Sequence, residues 1–211
     1  MIGTALVTLM AASLAQANNQ APGDVVKQSS PATSYDELRF GLGGGVTSAG
    51  KQVGEEDEGV AALNVAFVNR DGKRVLGANL TVHSSLFGAT HAYFGGLYGF
   101  AIGADNAHLE VTGEGGVHMI SGMGDDLFSS GASNSEASLP YVGAQVRAVF
   151  DIGDANGWQL ELSVQGRSDL FSEERQVSVQ SCFLGCSTEM ETWQTGGVSA
   201  NALAGLSYQF N

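Results

Sequence analysis

The chain has 211 residues, of which 30 are glycine and 15% are charged, and this is the length of one ordinary domain. Its 43% of hydrophobic residues exclude a disordered tail, and its net charge of -13 argues against nucleic-acid binding, because phosphate contacts require positive side chains. Only one apolar run approaches the length of a membrane-spanning helix, and it lies at the start of the sequence, which excludes a protein built from several membrane helices.

The N-terminal segment has the pattern of an export signal. Residues 2–17 form an apolar stretch that ends in Ala15-Gln16-Ala17, the small-x-small pattern that a signal peptidase cleaves. We therefore predict a signal peptide at 1–17, cleaved after Ala17; a buried N-terminal helix is the alternative. The polar residues that follow, 18–35, predict a periplasmic tether.

From residue 36 onward, apolar residues recur at every second position, and clusters of Gly, Asp and Asn separate the segments. In the clearest segment, Trp158, Leu160 and Leu162 alternate with Gln159 and Glu161. A period of two is that of a β-strand whose two faces differ. The sequence predicts eight such strands, near 37–46, 59–69, 73–84, 91–103, 107–120, 141–152, 158–169 and 197–210.

The connections between these strands alternate in length. Short turns are predicted around Asp71-Gly72, Asp105-Asn106 and residues 154–157, and the other connections are long, except the one around 86–89. This layout is typical of an all-β, eight-stranded antiparallel up-and-down transmembrane β-barrel. A soluble barrel that binds an apolar ligand gives the same alternation with its faces exchanged, and it is the alternative. The wholly polar face of the segment 158–169 favours the membrane barrel.

The two cysteines lie close together in the longest connection. Cys182 and Cys186 are separated by three residues, and an exported chain meets an oxidising compartment in which such a pair can close. We predict a disulfide that closes a small loop. A metal site is the alternative, but it needs additional His or Cys nearby in the sequence.

The C-terminal segment resembles the insertion signal of outer-membrane barrels, in which a glycine is followed by aromatic residues three and five positions later. Gly205, Tyr208 and Phe210 occupy these positions. Over 36–211 the chain resembles the small eight-stranded outer-membrane β-barrels of the OmpA/OmpX type. The resemblance implies a location in the bacterial outer membrane, contact with its lipid, insertion by the barrel assembly machinery and chain ends in the periplasm. It implies no activity, because barrels of this kind include structural, adhesive, channel and enzymatic proteins.

If the apolar face meets lipid, six charged side chains point into the barrel: Arg39, Glu110, Glu114, Arg147, Glu161 and Arg167. Arg147 and Glu161 lie seven residues on either side of Asp154, so a hairpin centred there places them directly opposite each other, and Glu114 could join them. An eight-stranded barrel is just wide enough for its own side chains. The sequence thus predicts an ion-paired plug; the alternative is a set of separately hydrated residues.

The remaining motifs give weak support for chemistry. His83 and Ser85 resemble the His-x-Ser pairing of barrel enzymes that remove acyl chains from lipid A, but no carboxylate follows with evident geometry. The segment 121–128 resembles one copy of a Gly-rich calcium repeat, which has no second copy to stack on. We predict no metal and no cofactor.

The sequence therefore predicts a non-enzymatic envelope barrel with a structural or surface-interaction role through its acidic extracellular loops. A narrow channel, a lipid-modifying barrel enzyme and a soluble periplasmic binding barrel are the alternatives.

Overall fold

A computed structural model describes most of the chain beyond the N-terminal segment. The described residues are 34–85, 89–104, 106–123, 129–133, 136–152, 157–182 and 186–210, with the backbone alone at 129–133, 180–182 and 186. Several predictions lie outside the described residues: the signal peptide, the tether as far as residue 33, most of the calcium-like segment, the turn at 154–156 and the side chains of the two cysteines.

The structure is all-β and contains twelve described strands. They are β1 (Tyr35–Thr47), β2 (Lys51–Gln52), β3 (Glu58–Asp71), β4 (Arg74–Ser84), β5 (Thr90–Ala104), β6 (Ala107–Ser121), β7 (Ser129–Ser133), β8 (Ala137–Asp151), β9 (Trp158–Asp169), β10 (Glu174–Cys182), β11 (Cys186–Gln194) and β12 (Val198–Phe210). Eight of them form a closed barrel in the order β1-β12-β9-β8-β6-β5-β4-β3, and β1 pairs with β3 to close it. The predicted eight-stranded antiparallel barrel is confirmed. Among the described residues, no helix has the length and hydropathy of a membrane span.

The two ends of the barrel differ in their connections. At the turn end, short connections join β3 to β4, β5 to β6 and β8 to β9, and β1 begins and β12 ends there. Gly72, in the first of these turns, has φ of 60°, a conformation that glycine adopts without strain. At the opposite end, which we call the loop end, the longer connections leave the barrel.

The loop end carries a second sheet that the sequence did not predict. Its order is β2-β11-β10-β7, and each of its strands lies in a long connection. Strands β10 and β11 form a hairpin that pairs from Glu174 opposite Gln194 to Cys182 opposite Cys186. Apolar residues in this hairpin are few and lie among polar and acidic ones, so the segment does not show the pattern of a barrel strand.

The faces of the barrel strands are apolar outside and polar inside. In β9, the outward residues Leu160, Leu162 and Val164 are exposed, whereas Glu161 and Gln165 between them are buried. Phe40 and Leu42 on β1 and Tyr208 and Phe210 on β12 are also exposed. This arrangement is the reverse of a soluble ligand-binding barrel, which keeps its apolar face inside.

Candidate functional site

The interior of the barrel near the turn end holds an ion-pair network centred on Arg39. Its Nη1 and Nη2 donate to the two carboxylate oxygens of Glu110 at 2.8 and 2.9 Å, a bidentate pair. Arg39 also pairs with Glu37, and its Nε lies 3.5 Å from Glu161 Oε1. Arg147 Nε lies 3.5 Å from Glu161 Oε2. All five side chains are buried, so this layer of the interior packs two guanidinium groups against three carboxylates.

Arg147 and Glu161 are paired diagonally. The prediction that they lie directly opposite each other is wrong by two positions, since Arg147 is opposite Ser163 and Glu161 lies two residues nearer the turn. The cause is the closure of the hairpin, in which Ile152 N donates to Trp158 O at 3.2 Å and so centres the turn one residue further along. A long arginine still reaches the diagonal position.

The second layer, towards the loop end, is built around Arg167 and Glu114. Arg167 Nε donates to Glu114 Oε1 at 2.5 Å, and Asn79 Nδ2 donates to Glu114 Oε2 at 2.5 Å. The sequence suggested that Glu114 could join Arg147 and Glu161. In the structure, Glu114 pairs with Arg167 instead. Gly143 gives this pair its space, because a Cβ there would lie 2.8 Å from Glu114 Oε1 and 2.9 Å from Arg167 Cγ.

The third layer is a cluster of histidine and tyrosine side chains at the loop end. His91 Nδ1 lies 3.1 Å from His118 Nε2, and His118 Nδ1 lies 2.9 Å from Asp169 Oδ1. Tyr93 stacks on His118 with ring centroids 4.0 Å apart. The His83 ring is tilted against the Tyr93 ring, with centroids 5.2 Å apart. All five side chains are buried.

The histidines of this layer lie on three different strands, β4, β5 and β6. The short turn after β5 fixes the pairing of Tyr93 with His118 and would have brought His91 beside them, but nothing in the sequence placed Asp169 there. Within the described part of the chain, no group of three or more His, Cys, Asp or Glu side chains is arranged to hold a metal ion.

An apolar cap covers the third layer. It joins residues of the barrel mouth to residues of the loop-end sheet in one buried cluster: Ala49, Ala89, Ile120, Met123, Ala137, Leu139, Val177, Val179 and Trp193. The sheet thus packs onto the barrel through its β10 and β11 side chains. A Cβ added at Gly50 would lie 2.7 Å from His91 Cε1, which shows how closely the cap backbone approaches the histidine layer.

The outside of the loop end is acidic. A cavity of about 520 Å³ lies beside β2 and is lined by Lys51, Glu55, Glu56, Asp57, Glu58, Gly59 and Trp193. Lys51 Nζ lies 2.9 Å from Asp57 Oδ1, so one of these four acids is neutralised directly. The remaining carboxylates give this surface a negative charge.

The predicted insertion signal lies on the last barrel strand. Tyr208 and Phe210 point outward at the turn end, where Trp158 packs against Tyr208 and Phe67 against Phe210 as tilted ring pairs, with centroids 5.1 and 6.1 Å apart. Gly205 allows β1 to approach, because a Cβ there would lie 2.1 Å from the Phe40 carbonyl oxygen. The outer wall thus has an aromatic cluster at the turn end, as membrane barrels have at the membrane interface.

The cysteine pair lies at the tip of the β10–β11 hairpin. Cys182 and Cys186 are opposite each other in the backbone pairing, which is compatible with the predicted disulfide. The disulfide itself stays a prediction.

Comparison with known proteins supports the fold and no more. No family model matches the sequence, and no curated protein matches it. Among solved structures, Neisserial surface protein A is similar over 85% of this chain and 100% of its own, with 8% identity and a TM-score of 0.54. The outer membrane protein OprG from Pseudomonas aeruginosa is similar over 84% and 96%, with 12% identity and a TM-score of 0.47. The attachment invasion locus protein of Yersinia pestis is similar over 85% and 100%, with 10% identity and a TM-score of 0.46.

The chain therefore has the fold of the small eight-stranded outer-membrane barrels. Its own features are a barrel interior of three polar layers, an apolar cap and a separate acidic sheet at the loop end.

Proposed function

We propose that the protein is a non-enzymatic barrel of the bacterial outer membrane that has no open pore and displays its loop-end sheet at the cell surface for interaction with a partner. The observation that carries this proposal is the combination of an apolar outer wall with an interior filled by ion pairs.

The outer wall supports a membrane location. Large apolar side chains such as Leu42, Phe94 and Ile102 are more than half exposed, and they lie around a closed barrel that has no free strand edge. In water, an apolar belt of this extent would drive aggregation, whereas lipid covers it. The signal peptide cleaved after Ala17 would direct export, and Gly205, Tyr208 and Phe210 would guide insertion by the barrel assembly machinery.

The interior supports a barrel that has no open pore. Arg39 binds Glu110 across the lumen, Arg167 binds Glu114, and the apolar cap lies over the histidine layer. An eight-stranded barrel leaves little room beyond its own side chains, so these layers leave no continuous water path of the width that a pore requires.

The loop-end sheet supports a role in surface interaction. It is packed on the barrel through Val177, Val179 and Trp193, and acidic side chains lie beside it. Charged surfaces of this kind set the partner and the rate of association.

Gel mobility and bilayer recordings test the barrel and the plug together. The full chain, extracted from outer membranes in detergent, is expected to migrate faster unheated than boiled and to give no steady single-channel current in planar bilayers. The heat shift serves as the control for folding in the same preparation. A reproducible stepwise conductance from protein that shows the heat shift would contradict the absence of an open pore and support the channel alternative.

Labelling of whole cells tests the orientation. A membrane-impermeant maleimide is expected to label Met190→Cys, on the exposed sheet, and to leave Asp71→Cys, at the turn end, unlabelled until the cells are lysed. The unsubstituted chain gives the background from its own cysteines. Equal labelling of both variants in intact cells would refute the proposed orientation.

A further inference from the structure

Strand β11 has a free edge. One edge pairs with β10 along the whole strand, but β2 pairs with the other edge only at Trp193 and Gln194. No described strand lies beside this second edge between Ser187 and Glu191, and residues 187–190 are exposed. The edge is therefore open to another extended chain.

The pairing with β2 shows which backbone groups point to the open edge. Thr192 O accepts from Val53 N and Gln194 O accepts from Gly50 N, both at 2.9 Å. Because hydrogen bonds alternate from edge to edge along an antiparallel strand, Thr188 and Met190 direct their N–H and C=O groups to the same side. These two residues present the donors and acceptors to which a new strand would bind.

The side chains along this edge define the chemistry of a partner. Glu189 and Glu191 lie on the face of β11 that carries Trp193, whose Nε1 donates to Glu191 Oε2 at 3.0 Å, and Met190, which is 61% exposed, lies on the other face. Residues that face each other across two strands share a face. A strand that pairs with this edge therefore meets carboxylate, thioether and carboxylate in turn.

We propose that the open edge of β11 binds an extended basic peptide segment of a partner protein, in which basic and apolar residues alternate, as an added β-strand. Lysine or arginine of the partner lies beside Glu189 and Glu191, and an apolar residue covers Met190. This inference rests on the proposed function, since it names the partner of the displayed sheet. Addition of a strand at an exposed edge is a general mode of peptide recognition, in which the main chain gives affinity and alternate side chains give specificity.

Charge selects this occupant over a second copy of the chain. Two β11 edges paired with each other bring Glu189 and Glu191 of both copies together, and like charges across a strand pair are unfavourable. The acidic cavity beside β2, with Glu55 and Glu56, adds to the same repulsion and attracts a basic chain.

The probe is a short fluorescent peptide of alternating lysine and valine, added to the full chain folded in detergent and followed by fluorescence anisotropy. Saturable binding is expected, with affinity that falls as salt is added. A peptide of the same composition with methylated amides at every second position keeps the charge but cannot pair as a strand, and it is expected not to bind. Equal binding of the two peptides overturns strand addition.

Variants at the edge separate the backbone from the charge. Met190→Pro removes an N–H that faces the open edge and leaves the β10 ladder intact, as proline does on edge strands, so binding is expected to be lost. Met190→Ala, the matched control, keeps that N–H and most of the affinity. Glu189→Gln with Glu191→Gln is expected to weaken binding about tenfold, from two lost charge pairs. Glu136→Gln, an exposed acid away from β11, is expected to have no effect.

The measurement distinguishes this inference from the proposed function. Binding is tested on protein whose heat shift shows a folded barrel. The inference is overturned, and the barrel function left intact, if the folded protein does not bind the peptide. It is also overturned if the Met190→Pro variant binds the peptide as tightly as the unsubstituted chain does. Self-association that Met190→Pro abolishes identifies a second copy as the occupant and also overturns it. Absence of the heat shift overturns the proposed function.

Discussion

Arg39 is the side chain whose removal is expected to destabilise the barrel most. It contacts Glu37, Glu110 and Glu161, and all of these side chains are buried. Arg39→Met keeps much of the length and volume of the side chain and removes its charge. Arg147 is then the guanidinium that remains beside two of these carboxylates, 3.5 Å from Glu161 and 3.9 Å from Glu110.

The magnitude follows from the charge that is left unpaired. Breaking a buried ion pair by removing one partner typically costs about 3–5 kcal/mol, because the remaining charge is desolvated without compensation. Arg39 supplies the bidentate contact to Glu110 and the contact to Glu37, whose other contact is the Gln209 amide at 3.5 Å. We therefore expect Arg39→Met to lie at the upper end of this range.

Urea unfolding of the barrel in lipid vesicles, followed by tryptophan fluorescence, measures the effect. The control is the double variant of Arg39→Met with Glu110→Gln, which removes one of the stranded charges and is expected to recover part of the loss. A loss of less than about 1 kcal/mol for Arg39→Met, or a double variant less stable than the sum of its parts, would refute the idea that mutual neutralisation holds this layer together.

Two further substitutions test the packing of the second layer and the face exposed to lipid. Gly143→Ala places a Cβ 2.7 Å from the Gly166 carbonyl oxygen and against the Arg167–Glu114 pair, so we expect a loss of about 1–3 kcal/mol in the same unfolding assay, and no loss would show that the pair is free to move. Leu162→Lys, on the outward face of β9, is expected to cost about 2–4 kcal/mol in lipid, whereas Leu170→Lys, beyond the loop end of β9, is expected to cost little. Equal costs would contradict a lipid boundary between the two positions.

The alternation of side chains was sufficient to predict the barrel. The eight strands, and the faces of β9 and β12 in particular, follow from a period of two, because successive residues of a strand point to opposite sides whatever the strand pairs with. The same period placed Arg39, Arg147 and Arg167 inside with their glutamates. These are local properties, and the local sequence carries them.

The partners of the inward side chains depended on the closed structure. Arg147 meets Glu161 on a diagonal because the hairpin is closed one residue further along than its sequence suggests, and a shift of one residue in a turn moves every pair by two. Glu114 on β6 meets Arg167 on β9 because β8 lies between these strands and pairs with both, and because Gly143 on β8 leaves space for the two side chains.

The histidine layer and the loop-end sheet also needed the tertiary structure. His118 and Asp169 lie on β6 and β9, far apart in sequence, and meet because both strands pair with β8. The loop-end sheet forms between polar segments far apart in the sequence, and packing of Trp193 and Val177 onto the barrel mouth stabilises it. The sequence by itself determined which residues of a strand share a face, since that is fixed within the strand. The tertiary structure decided which residues meet, since register and closure join residues that the chain keeps apart.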